Sequence, residues 1–141
     1  MISNELLFLI SINKLQSVIS RKFDSLSVHG LGFNDFVILY ILITSSESKM
    51  RRIDLAEKIG LTASGVTRLL NPLEKIGLVS REINERDARV SYVVITPAGK
   101  NLFEEAKNTA ENSTKDILST KKSKSLKVFT ELLSDLGGNI Q

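Results

Sequence analysis

Ser64, Thr67, Arg68 and Asn71 stand three or four residues apart, or adjacent, so a helix would carry them on one side. Their chemistry is that of donors to oxygen and nitrogen acceptors. Slim hydroxyls can approach a base edge closely, and an arginine fork fits guanine O6 and N7 or a phosphate. A second polar group follows in Asn84-Glu85-Arg86-Asp87-Ala88-Arg89, where two arginines flank an aspartate. No catalytic set competes with these groups. The chain has no cysteine and one histidine, so a thiolate nucleophile, a disulfide framework and a cysteine metal site are all excluded. No phosphate-binding glycine loop and no carboxylate pair in a catalytic setting is visible, and an enzyme is not expected.

Such donors are useful only if the chain holds them out rigidly. In Asp54 to Ile59 the apolar residues Leu55, Ala56 and Ile59 share one helical face, and Gly60 can close that helix in the left-handed conformation. Thr62 is placed to cap a second helix on the N–H of Ser64 or Gly65. There Val66, Leu69, Leu70, Leu73 and Ile76 repeat at three and four residues and are expected to face a core, which turns Ala63, Ser64, Thr67, Arg68 and Asn71 outward. Pro72 lies inside this helix and removes the bond to the Arg68 carbonyl. After Gly77, Leu78 to Ile83 and the β-branched run Val90 to Ile95 read as two strands of a hairpin, with the charged group at its tip. A charged tip by itself is most simply a solvated turn, but beside a helix-turn-helix it reads as a wing.

In order and spacing, these pieces resemble the winged-helix core of the MarR family of transcriptional regulators. The resemblance runs from Leu31 to Gly99, through Leu31 to Phe36, Asp54 to Thr62, Ser64 to Leu70, Leu73 to Val79, Asp87-Ala88-Arg89 and Ile95 to Gly99. It implies a homodimer on a pseudo-palindromic operator, usually a repressor and often released by a small ligand. It also implies that Arg89 enters a minor groove and that Asp87 braces the wing. The expected DNA-facing set is Thr62, Ser64, Gly65, Thr67, Arg68 and Asn71 on the helix, with Arg86, Asp87 and Arg89 on the wing. An effector pocket would lie between the dimerisation helices and the reading head, near the Phe33 to Tyr40 region, although an aromatic stripe at helical spacing is more often core.

The 141 residues suit one domain, and the net charge of +3 is unevenly placed. Lys49 to Lys100 holds ten lysines and arginines against six acidic residues, so the basic surplus sits on the reading head, where phosphate would be met. At the amino end, Leu6 to Ile10 and Ile12 form an apolar run too short for a membrane span and without a basic lead-in. Helical spacing continues it from Leu7 to Leu26 as one long helix, apolar almost all round at its start and in need of cover by a second subunit. His29 reads as a turn residue with a satisfied hydrogen bond, and Asn34 as the cap of a central helix through Ile43. Met50-Arg51-Arg52 can add a short third strand.

Thr96-Pro97 opens a long helix whose narrow stripe is Ala98, Leu102, Phe103, Ala106, Ala110 and Ile117. The Asn112-Ser113-Thr114 glycosylation sequon reads as a chance match. Leu126, Phe129, Leu133 and Leu136 form a coiled-coil-like seam up to Gly137-Gly138, and Lys121, Lys122 and Lys124 crowd its approach, so that helix is expected to start after Thr120. The expected fold is mainly α with a small β-hairpin wing: a winged helix-turn-helix core, 32–96, flanked by dimerisation helices in 1–30 and 97–141. A cytoplasmic, sequence-specific regulator follows, partnered by double-stranded DNA, a second copy and a small effector, with no cofactor, metal or membrane. The alternative is a winged helix used as a protein-interaction module, its charged wing merely solvated.

Overall fold

The structure is a computed structural model and describes residues 1–118 and 125–141. Helix α1, Asn4–Lys22, opens on Ser3, whose hydroxyl accepts the Leu6 N–H at 3.1 Å. Glu5 in its first turn and Arg21 and Lys22 in its last suit the helix dipole. The helix does not run on to Leu26 as its spacing suggested. From Phe23 to His29 the chain tightens into a 3-10 segment, closed by Gly30 at φ 73°. Three residues per turn bring Phe23, Leu26 and His29 onto one side. Phe23 and Leu26 are buried there, and Phe23 stacks on Phe33 at 4.3 Å.

Helix α2, Phe33–Thr44, is the middle of the molecule and buries Ile38, Leu39, Ile41 and Leu42. Its cap differs from expectation. The helix begins one residue ahead of Asn34, so Gly32 takes the capping position and the Asp35 carboxylate accepts its N–H at 2.8 Å. Burial raises the Asp35 pKa above its usual value, and the bond from Gly32 works the other way. The aromatic residues of α2 are half-buried against the core: Phe36 stacks on Phe103 at 4.9 Å, and Tyr40 lies 6.4 Å from the same ring.

A short strand β1, Lys49–Arg51, leads directly into α3, Arg52–Ile59, and then α4, Ala63–Lys75. Strands β2, Val79–Ile83, and β3, Ser91–Ile95, complete an antiparallel sheet in the order β1-β3-β2. Met50 faces Val93 across one pair, and Val93 faces Arg81 across the other. The expected third strand is thus present, one residue earlier than Met50 to Arg52 because Arg52 already opens α3, and β3 lies at the centre. Val79, Val93 and Ile95 bury one face of the sheet against the helices.

Helix α5, Pro97–Ile117, is capped by Thr96, whose hydroxyl oxygen accepts the Gly99 N–H at 3.1 Å. Its buried stripe is Gly99, Phe103, Ala106, Ala110 and Ser113, and Ala98 is exposed. The stripe begins one residue later than the spacing suggested because Gly99 meets the backbone of Leu78, too close for a side chain. Ser113 of the sequon forms a hydrogen bond of 2.6 Å with Ser25, and His29 Nε2 one of 2.8 Å with the Thr109 hydroxyl, so α5 is pinned to the 3-10 segment by polar contacts.

Helix α6 covers Leu126–Leu133 and continues as a π turn over Ser134–Gly138, so Leu136 lies beyond the regular helix. The lysines expected to crowd its approach fall outside the described residues. Leu6, Leu7, Phe8, Leu9 and Ile10 of α1 and Phe129, Leu132, Leu133 and Leu136 of the last segment are all exposed in the single chain. Among the described residues, no single helix is long and apolar enough to cross a membrane.

Candidate nucleic-acid interface

The turn between α3 and α4 is built as its residues require. Gly60 adopts φ 78°, its N–H returns to the Ala56 and Glu57 carbonyls, and Leu61 N–H follows to Ala56 at 2.9 Å. Thr62 then caps α4, its hydroxyl oxygen accepting the Gly65 N–H at 3.0 Å. Gly65 is close against this cap, where a Cβ would lie 3.2 Å from the Thr62 hydroxyl oxygen. Val66, Leu70 and Leu73 anchor α4 in the core. Of the other two residues read as core-facing, Leu69 is half-buried against the core and Ile76 is instead 62% exposed. The helix has ended at Lys75, and the left-handed Gly77 redirects the chain, so the helical period no longer holds there. Helix α4 runs through Pro72 without a break.

Ser64, Arg68 and Asn71 are exposed on the outer side of α4. Thr67 is not free in the same way. It is half-buried, and its hydroxyl oxygen accepts a 2.8 Å hydrogen bond from Arg52 Nη1 at the start of α3. Arg52 therefore ties the two helices together, a contact that neither spacing nor pattern pointed to.

The wing is ordered by its own side chains. Asn84 Oδ1 accepts the Arg86 N–H at 2.8 Å, while Val90 N–H reaches the Asp87 carbonyl at 3.0 Å. Asp87 accepts the Arg89 backbone N–H at 3.0 Å and its Nε–H at 3.1 Å, with Nη2 at 3.3 Å from the other oxygen. Those bonds hold the Asp87 carboxyl below its ordinary pKa, side-chain bond first and backbone bond second. The Arg89 side chain is nevertheless 91% exposed, aimed and yet open to a partner. Arg86 is exposed as well.

Behind the wing, Lys49 of β1 reaches Glu82 of β2 at 2.9 Å and Glu47 at 3.2 Å, with its ammonium 5.0 Å from the Tyr92 ring centroid. Both carboxylates raise the Lys49 pKa, Glu82 foremost. This strap crosses all three strands. Ala63, at the first turn of α4, and Arg89, Val90 and Ser91, at the root of the wing, line one concavity of about 300 Å³. The start of α4 and the wing are therefore two walls of one surface.

The MarR family model matches residues 33–91, from the start of α2 into β3. A transcriptional regulator of helix-turn-helix type, SarZ of Staphylococcus haemolyticus, is 30% identical over 101 residues, covering 72% of this chain and 67% of that protein. The uncharacterized helix-turn-helix regulator YdgJ of Bacillus subtilis is 27% identical over 138 residues, 98% of this chain and 82% of that one. A MarR family regulator of Streptomyces coelicolor, crystallised in complex with DNA, shares the fold at a TM-score of 0.78 and 21% identity, covering 96% of this chain and 89% of that chain. On these matches the chain belongs to the MarR family of winged-helix transcriptional regulators.

Proposed function

We propose that this regulator binds a pseudo-palindromic operator as a homodimer, represses transcription from it and is released by a small effector. One observation carries the reading: an outward row of Ser64, Arg68 and Asn71 on α4 stands beside a wing whose Arg89 is aimed by Asp87. That pairing suits a helix in the major groove and an arginine in the adjoining minor groove, whose narrow, negative floor attracts a guanidinium. Thr62 and Gly65 shape the leading turn, Thr67 contributes a hydroxyl at its edge, and Arg86 adds charge at the wing tip. The two apolar ends of the chain, 1–30 and 97–141, supply the dimer, and the core between them reads the DNA. The setting is the cytoplasm, where the nucleic acid is.

The DNA complex of the Streptomyces coelicolor regulator supports this use of the shared fold. Selection from a random duplex pool with the purified full chain, followed by footprinting on its own promoter, is the direct test. The expected result is a two-fold related site with half-sites about one helical turn apart. Loss of the footprint with single metabolites would identify the effector. No selected sequence, with weak binding that is equal on every duplex, would overturn the reading in favour of a protein-interaction module.

A further inference from the structure

The concavity between α4 and the wing has a third wall that the expected contact set omits. Arg51, Arg52 and Ile53, at the junction of β1 and α3, line it together with Ala63, Arg89 and Val90. Three guanidinium-bearing residues therefore surround a space of about 300 Å³. Their counter-charges do not balance them. Asp87 is paired with Arg89 and is only weakly influenced by the charge of Arg51, which among the described residues takes part in no ion pair. Burial and the nearby charge of Arg81 both work against the charged form of Arg52, with Glu74 working for it. The site is open, with Arg51, Ile53, Ala63 and Arg89 exposed and Arg52 half-buried, and its excess of positive charge favours an anion.

The lining also says which kind of anion. Ile53, Ala63 and Val90 are apolar, and a free inorganic phosphate has nothing to set against them. A phosphodiester does, because its oxygens are flanked by deoxyribose carbons. We propose that this concavity seats one backbone phosphate of duplex DNA, with Arg51 and Arg52 as the phosphate-binding residues and the neighbouring sugar against Ile53 and Val90. The inference rests on the DNA-binding reading and deepens it. Arg52 also hydrogen-bonds Thr67, so a single phosphate would connect β1, α3 and the recognition helix, fixing how deeply α4 sits. Contacts of this kind set register and carry no sequence information themselves.

The test compares the parent with Arg51→Gln and Arg52→Gln, each first shown to be folded by circular dichroism, on two duplexes: a selected site and its scrambled version. Salt titrations of affinity are expected to become shallower by about 0.9 in log–log slope for each contact removed, so over a fourfold rise in salt the parent loses about 3.5 times more affinity than the variant. Both duplexes should be weakened by the same factor. An unchanged slope and affinity in folded Arg51→Gln would overturn the proposal while leaving operator binding standing. Weakening of the selected duplex alone would also overturn it, as base readout. Inorganic phosphate competing better than chloride at equal ionic strength would assign the site to a free anion instead. A parent that binds neither duplex would refute the DNA-binding reading itself, a different failure.

Discussion

At the scale of single residues, Arg68 and Arg89 have separable roles. Arg68 is exposed on α4 and anchored from below by Leu70 and Val66, so its removal should leave the fold intact. Arg68→Ala is expected to cost about 1–3 kcal/mol of operator affinity if its fork meets a base, and to relax the preference at one position of the site. Equal affinity in a folded variant, measured by fluorescence anisotropy, would remove Arg68 from the interface. Arg89 depends on a neighbour, which makes it sensitive to pH. The folded-state pKa of Asp87 lies below its unfolded value, so its brace is complete above the ordinary aspartate range and is lost as pH falls through the depressed value. The Arg89 Nε–H resonance should therefore hold steady through neutral and mildly acidic pH and move only at the acid end. In Asp87→Asn it should lose that titration, and operator affinity should fall by part of the loss seen in Arg89→Ala.

The elements are held by caps and close contacts that can be tested by stability. Thr62 closes the first turn of α4, and Thr62→Ala is expected to destabilise the chain by about 1 kcal/mol, as loss of an N-cap hydroxyl usually does. Gly99 is more demanding. Its missing Cβ is the space occupied by the Leu78 carbonyl and the Ile95 side chain, so α5 lies directly on the turn that leaves α4. Gly99→Ala should cost roughly 1–3 kcal/mol by overpacking, more than the small helix-propensity gain returns. Urea unfolding of the two variants would rank them, and a neutral Gly99→Ala would show that α5 can shift freely.

For the whole molecule, the question is what covers the ends. Leu9 and Leu133 are both exposed in the single chain, and Phe8, Leu9, Leu132 and Leu136 line an open apolar groove of about 460 Å³ between α1 and the last segment. Surface of that kind is characteristic of an interface. If a second copy fills it, Leu9→Glu or Leu133→Glu buries a carboxylate without a partner, at a cost of several kcal/mol, and yields monomer, unfolding or aggregation together with lost operator binding. Sedimentation decides between the alternatives. A parent that is monomeric at micromolar concentration, and a Leu133→Glu variant that is as stable as the parent, would rule out this dimer.

What the sequence determined by itself was local. Glycines at 60 and 77, hydroxyls at 62 and 96 and the apolar period of α4 specify turns, caps and faces within a few residues, where the backbone has few options. The Asp87–Arg89 bond is equally short in sequence, although the family resemblance, rather than spacing, pointed to it. Local pattern failed where an element changed its pitch or ended: α1 tightens at Phe23, Ile76 leaves the helical period, and Asp35 rather than Asn34 completes the cap of α2. Side-chain contacts across the chain were not legible. The strand around Arg51 was expected, but only its pairing with β3, Arg51 opposite Tyr92, brought Arg51 and Arg52 to the root of the wing. The Arg52–Thr67 bond and the Lys49 strap to Glu82 likewise exist only because distant segments are brought side by side by a core that buries Leu39, Leu55, Val66 and Val93. Burial of apolar surface has no direction and no sequence address, so it decides which distant charges meet only after the chain has packed.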